Sequence, residues 1–284
     1  MSKIAIIGGT GLQNLPDAEL LGEYIEQTPF GMPCSPVLHM KIGKTELFFL
    51  ARHGENHTIL PGEINYRANI YALKMRGVSQ IISVAAVGSL KENIKPGDFV
   101  VVDQFFDRTQ NRNDTFFGNG IVAHVSFGNP VCPEMHKNLV EAVHDTGAEV
   151  HNCGTYVNIE GPAFSTRAEA GFYRNVLNAD VVGMTNLTEA KLAREAGICY
   201  VTLAHVTDYD CWRDKTEDVT ISDILRIIGQ NIEQTKRILL EFTKKTIMPN
   251  QCCCADSLVG ALLTPKDKIS EETKKRLSAI LNTI

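Results

Sequence analysis

Two carboxylates, Asp208 and Asp210, stand in the stretch Thr207-Asp208-Tyr209-Asp210-Cys211-Trp212, directly after the apolar run from Ile198 to Val206. That run reads as a buried strand, and residues two apart on extended backbone point to the same side. Both acids therefore face one place at a strand end. Carboxylates in close quarters push one pKa up, which yields an acid able to give a proton near neutral pH. An acidic loop that caps the next helix would carry the same residues, because ion-pair networks also perturb carboxylates.

A second reactive group is Arg52-His53-Gly54-Glu55-Asn56-His57, again after an apolar run, Glu46 to Leu50. Arginine binds phosphate through a permanent two-pronged fork, and histidine bonds oxyanions and titrates near neutrality. At the amino end, the strand-like Lys3-Ile4-Ala5-Ile6-Ile7 closes on Gly8-Gly9-Thr10-Gly11. A glycine loop after a strand lets backbone N–H groups approach an anion. The spacing is not Gly-x-Gly-x-x-Gly, which argues against a dinucleotide-binding module. Phe164, in Glu160-Gly161-Pro162-Ala163-Phe164-Ser165-Thr166-Arg167-Ala168-Glu169, is placed after a strand as a platform for a flat ring, or as a plain core aromatic. Ser165 is placed there to cap a helix starting at Thr166.

Of the eight cysteines, Cys34, Cys132, Cys153, Cys199 and Cys211 are scattered, and Cys252-Cys253-Cys254 are consecutive. The scattered five read as reduced, buried small side chains. The triplet fits a redox pair, one end of a disulfide or half a metal site. No second Cys/His cluster with zinc spacing follows, so metal is the weakest of the three.

The elements that must position these groups alternate along the chain. Strands read at 3–7, 22–28, 46–50, 80–86, 99–103, 152–159, 180–185 and 198–206. Helices read from Asn65, as N-cap, to about Arg76, then at 133–147, from Thr166, at 189–197 and at 222–247. Residues 107–120 are polar and read as a long loop, and the tail ends in a charged helix that packs through Leu277, Ile280 and Leu281. Continuous apolar strands between helices predict an α/β fold, a single domain with a central mixed β-sheet flanked by helices. Residues 1–250 form the catalytic domain in this reading. Residues 251–284 form a Cys-rich, helical C-terminal extension that packs on the same domain or on a neighbouring subunit. Every reactive group follows a strand, and sites in such sheets form at strand carboxyl ends. The net charge of −5 argues against nonspecific binding to nucleic acid or an anionic membrane. The strand-like start and the lack of a long apolar run predict a cytoplasmic protein.

Taken in order, Gly8-Gly9-Thr10-Gly11, Arg52-His53-Gly54, Asn65-Tyr66-Arg67-Ala68-Asn69, Val87-Gly88-Ser89-Leu90, Glu160-Gly161-Pro162, Phe164-Ser165-Thr166-Arg167-Ala168-Glu169, Gly183-Met184-Thr185 and Thr207 to Trp212 resemble the trimeric purine nucleoside phosphorylases, within them the branch acting on 5'-methylthioadenosine. The resemblance implies the nucleoside phosphorylase type I fold and a homotrimer, or a pair of trimers. It implies attack of inorganic phosphate, a co-substrate, on the anomeric carbon of 5'-methylthioadenosine, with no metal or organic cofactor. A 6-oxopurine nucleoside or methylthioinosine is the alternative substrate. It implies phosphate contacts at Thr10, Arg52, His53, Ala86 and Thr185, base contacts at Phe164, Ser165, Asp208 and Asp210, and Met184 beneath the ribose. It further implies His124 reaching a neighbouring subunit's site, and Ile221 and Ile224 around the 5' substituent. In the implied chemistry Asp208 and Asp210 are the catalytic pair. Some relatives from hot environments carry a Cys-x-Cys disulfide near the C-terminus, the spacing of Cys252 and Cys254. The chain departs from the family at Ala163, usually Arg; Thr188, usually Pro; His205, usually Met; and Ala85, usually Thr or a similar polar residue beside the phosphate. Lower phosphate affinity is the expected consequence of Ala85, and His205 is expected in the core.

Overall fold

The computed structural model describes residues 3–9, 11–213, 221–245 and 252–281, with the side chains of 221–226 and 228 excepted. It is built on one mixed sheet. β1 (Lys3–Gly8) lies between β4 (Thr45–Ala51) and β5 (Val78–Ser89), parallel to both. β2 (Glu19–Tyr24) and β3 (Val37–Ile42) extend the sheet antiparallel beyond β4. On the other edge of β5 lies β11 (Cys199–Asp208), parallel to it, followed by β6 (Phe99–Val102) and β8 (Val150–His151). A second branch leaves the distal end of β5 through β10 (Val181–Gly183), β9 (Thr155–Ile159) and β7 (Gln104–Arg108).

The 12-residue β5 is the branch point. β1 pairs with it up to Ser83 and β10 from Gly88 onward. Between them, one edge of β5 has no strand neighbour, and Ala86 is exposed there in the middle of the sheet. Backbone groups on such an edge are open to a ligand.

Alternation along the strands builds two apolar layers. Ala5, Ile7, Phe48 and Leu50 face one side, where α1 (Tyr66–Met75) and α4 (Asn186–Glu195) pack. Ile4, Ile6, Leu47 and Phe49 face the other, against α2 (Pro133–Asp145) and α5 (Ile221–Thr243). Asn65 caps α1, accepting from the Ala68 N–H at 3.2 Å, as its sequence position predicts. α3 (Arg167–Asn175) starts one residue later than expected. Thr166, not Ser165, is its N-cap, and Thr166 with Glu169 forms a full capping box. That one-residue slip releases Ser165 from the cap.

β3, β7 and the two-residue β8 escape the sequence reading, and β2 begins three residues before its predicted start. Leu20 and Leu21 in β2 are exposed, so this edge strand lacks the apolar run that marks the others. The tail packs through Leu277 and Ile280, both fully buried, and Tyr71 donates its hydroxyl to the Arg276 carbonyl at 3.0 Å. All eight cysteines are free thiols. Cys252 and Cys254 are therefore not bonded to each other, because Cys252 turns its sulfur to Cys199 at 3.3 Å. No described helix is long and apolar enough to cross a membrane.

Candidate active site

The carboxyl ends of β1, β4, β5 and β11 share one rim of the sheet, and Arg52 leaves β4 at that rim. It is 2 % exposed, and both Nη atoms of its guanidinium are hydrogen-bonded. Nη1 donates to Thr185 Oγ1 at 2.7 Å. Nη2 lies within hydrogen-bonding distance of Ser83 Oγ at 2.7 Å and of the carbonyls of Ile7 and Val84, both at 2.9 Å. Nε faces Glu189 Oε1 at 3.2 Å. Glu189 is 1 % exposed, and burial pushes its carboxyl up, while Arg52, Ser83 and Tyr200 oppose that rise. A buried charge pair holds when further hydrogen bonds satisfy it, and here the Ser83 and Tyr200 hydroxyls both donate to Glu189. The result is a fixed cation at the open edge of β5. The sequence reading found Arg52 but not Glu189, which looks there like one more helix-surface acid.

Thr185 is the N-cap of α4 and makes no side-chain cap bond; its Oγ1 accepts from Arg52 and donates to Asn186 Oδ1 at 3.0 Å. His53 Nδ1 lies 2.8 Å from the Ile59 carbonyl. A carbonyl only accepts, so Nδ1 carries the proton. Burial lowers the His53 pKa to about 4, so the ring is neutral at pH 7 and Nε2 offers a lone pair.

The two acids of the β11 end sit together over Gly88. A Cβ there would come within 3.2 Å of Asp208 Oδ1 and 3.3 Å of Asp210 Cβ, so glycine makes their common floor. Asp208 is partly open to solvent, yet the surrounding protein displaces enough water to push its carboxyl up, against a 2.8 Å bond from the Thr207 hydroxyl. Burial, and then the charge of Asp208, raises Asp210 as well. Asp210 Oδ2 is buried and accepts no hydrogen bond among the described residues. Ser165 Oγ is likewise buried without one, though it lies close enough to Asp210 to weigh against that rise. The Cys211 thiol donates to the Ser165 carbonyl at 3.2 Å, which docks the two segments together. Trp212 anchors the turn, donating Nε1–H to the Ser89 carbonyl at 2.7 Å.

Phe164 is 83 % exposed, so it is no core aromatic. Met184 lies under Gly161, where a Cβ would meet its sulfur at 2.6 Å. His124 is exposed, and its N–H donates to the Ala261 carbonyl in the tail. No described contact brings it to the other candidates. Thr10 and the side chains of Ile221 and Ile224 lie outside the described residues.

The phosphorylase superfamily profile matches residues 3–244. This chain belongs to the phosphorylase superfamily. Among its relatives, the S-methyl-5'-thioadenosine phosphorylase of Geobacter sulfurreducens is 46% identical over 281 residues, 99% of this chain and 98% of that protein. The enzyme of that name from Hyperthermus butylicus is 47% identical over 92% of this chain and 95% of its own. A solved methylthioadenosine phosphorylase from an antarctic soil metagenomic library superposes with a TM-score of 0.92 at 42% identity, covering 98% of each chain. The Schistosoma mansoni methylthioadenosine phosphorylase in complex with adenine superposes with a TM-score of 0.81 at 32% identity, over 100% of this chain and 99% of its own.

Within this phosphorylase frame the departures can be placed. Ala85 belongs to a small apolar cluster with Val87 and Val102, whereas its neighbour Ala86 is the residue that opens to the gap in β5. Alanine in place of a hydroxyl residue at 85 is thus buried, one residue from the gap at Ala86. His205 is buried, as expected, with Nδ1 facing Asn231 of α5 at 3.3 Å. Arg112, from the polar loop, braces the segment that carries Ala163. Its Nε donates to Glu160 Oε1 and its Nη2 to the Glu160 carbonyl, both at 2.7 Å. An isolated Arg in a loop carries no sequence signal for that role.

Proposed function

We propose that the chain catalyses the phosphorolysis of 5'-methylthioadenosine to adenine and 5-methylthioribose 1-phosphate. The observation that carries the choice of base is the buried, unpartnered Oδ2 of Asp210 beside a second carboxyl held above its ordinary pKa. An exocyclic amino group satisfies that oxygen, whereas a 6-oxo group offers it no proton.

Phosphate occupies the gap in β5, against the Ala86 backbone, the Arg52 guanidinium, Thr185 and Thr10. The neutral His53 Nε2 accepts a hydrogen bond from a phosphate hydroxyl. From Ser83, beneath Arg52, to Gly88, beneath the acids, is roughly 16 Å of extended strand. The ribose spans the space between, over Met184. A phosphate oxygen attacks the anomeric carbon as the bond to the purine N9 breaks, and the electron pair leaves with the base. Positive charge develops on the sugar and negative charge on the purine, as in other glycosyl transfers. Phosphate steadies the first, and protonated Asp208 steadies the second by giving its proton to N7. Asp210 and Ser165 hold the base edge, Phe164 covers its face, and Ile221 and Ile224 line the 5' pocket. His124 completes the site of a neighbouring subunit in a homotrimer. Inorganic phosphate is the co-substrate and no metal or organic cofactor enters the reaction. The setting is cytoplasmic salvage of purine and methionine.

The test is adenine release from 5'-methylthioadenosine with and without phosphate, beside adenosine, inosine and methylthioinosine. Release only with phosphate, and preference for the 6-amino nucleosides, is expected. Equal turnover of methylthioinosine would overturn the role given to Asp210.

A further inference from the structure

At the opposite end of β11 from the acids, four cysteine sulfurs converge. Cys199 is the first residue of β11 and Cys132 is the N-cap of α2. The Cys132 N–H donates to the Tyr200 carbonyl at 2.9 Å, which seats the helix start beside the strand start. Cys252 and Cys254 arrive from the C-terminal segment. That segment is fixed against the end of α4, where the Ser257 hydroxyl donates to the Arg194 carbonyl at 2.6 Å. Cys253 points outward and is exposed. The four sulfurs all lie within 4.8 Å of one another.

We propose that Cys132, Cys199, Cys252 and Cys254 together bind one structural zinc ion. Zinc prefers four ligands in a tetrahedron with bonds near 2.3 Å to sulfur, which sets sulfurs about 3.8 Å apart. The cluster meets that spacing with small side-chain rotations, Cys199 and Cys252 standing 3.3 Å apart. An all-sulfur set selects zinc over the harder divalent ions. Cys132 and Cys254 are buried, while Cys199 and Cys252 are half-buried and leave an entry path. The 13-residue α2 presents its N-terminus to the cluster, and the positive end of its dipole suits thiolate ligands. Successive ligands are 67, 53 and 2 residues apart, so no short motif announces the site. Cys199 and Asp208 are separated by nine strand residues, roughly 30 Å. The ion therefore takes no part in the phosphorolysis. It joins the tail to the core at the amino rim of the sheet.

Metal analysis of the full chain, produced with zinc in the medium and purified under reductant, tests this. A single zinc ion per chain that survives dialysis is expected. Reconstitution with cobalt should give the intense sulfur-to-metal charge-transfer absorption of a tetrahedral thiolate site. Cys199→Ser and Cys254→Ser should each lose the metal, whereas Cys253→Ser should keep it. Substoichiometric zinc removed by brief chelation, or cobalt lacking the thiolate bands, would overturn the proposal without recourse to any variant. So would disulfides among these four cysteines in protein isolated anaerobically.

Discussion

Arg52 reaches from the end of β4 to Thr185 at the start of α4, with Nη1 donating to Oγ1 at 2.7 Å. The bond joins two strand ends across the open edge of β5, so it sets where an anion can rest. Thr185→Ala keeps the Arg52–Glu189 pair but removes the hydroxyl. Hydrogen bonds to charged partners are worth about 1.5–3 kcal/mol, so kcat/KM for phosphate should fall about ten- to hundredfold. The KM for the nucleoside at saturating phosphate should change little. A variant whose phosphate dependence is unaltered would remove Thr185 from the site.

Glu189→Ala leaves the Arg52 charge buried without its partner. Breaking one side of a buried pair costs about 3–5 kcal/mol. Urea unfolding should show that loss, and a midpoint unchanged from wild type would mean the pair is not buried as described.

Asp208→Asn removes the transferable proton. General acid catalysis is worth about a hundred- to ten-thousandfold, and kcat for the adenine nucleoside should drop in that range. Asp210→Ala should instead narrow the preference for 5'-methylthioadenosine over methylthioinosine and leave phosphate KM nearly intact. If both variants kept full activity, the pairing of roles would be wrong.

Acid should weaken the fold through His205. Burial lowers its pKa to about 4, against about 6.5 in an unfolded chain. The unfolded chain takes up the proton first as pH falls. The stability held by the neutral ring is whole above about 6.5 and drains away between there and about 4. For one such histidine the loss is at most about 3 kcal/mol. Denaturant midpoints at pH 7 and pH 5 should separate more for wild type than for His205→Met. Parallel losses would show that His205 is not the group responsible.

Arg112→Ala should unfasten the Glu160 loop, which Ala163 leaves without an arginine of its own. Nucleoside KM should rise severalfold with a smaller change in kcat, because the loop carries Phe164 and Ser165 rather than the proton donor. An effect confined to kcat would contradict this.

Much of this was legible in the residues. Apolar runs marked β1, β4, β5, β9 and β11, because strands buried on both faces need side chains of one kind. The pair Asp208 and Asp210 comes together over Gly88 as expected, but Asp208 ends β11 and Asp210 lies in the turn beyond it, so the turn and not the two-residue period of extended backbone unites them. What sequence order leaves undetermined is contact across distance. Glu189 takes its role only because α4 drops it against Arg52, 137 positions away. The edge of β5 at Ala86 opens only because β1 pairing stops at Ser83 and β10 pairing begins at Gly88. The four cysteines read as core residues and a stray triplet until the strand start, the helix cap and the tail bring them together. Periodicity encodes which face a residue takes along its own element. Which faces then meet depends on how the elements pack, and that is decided by the whole core at once.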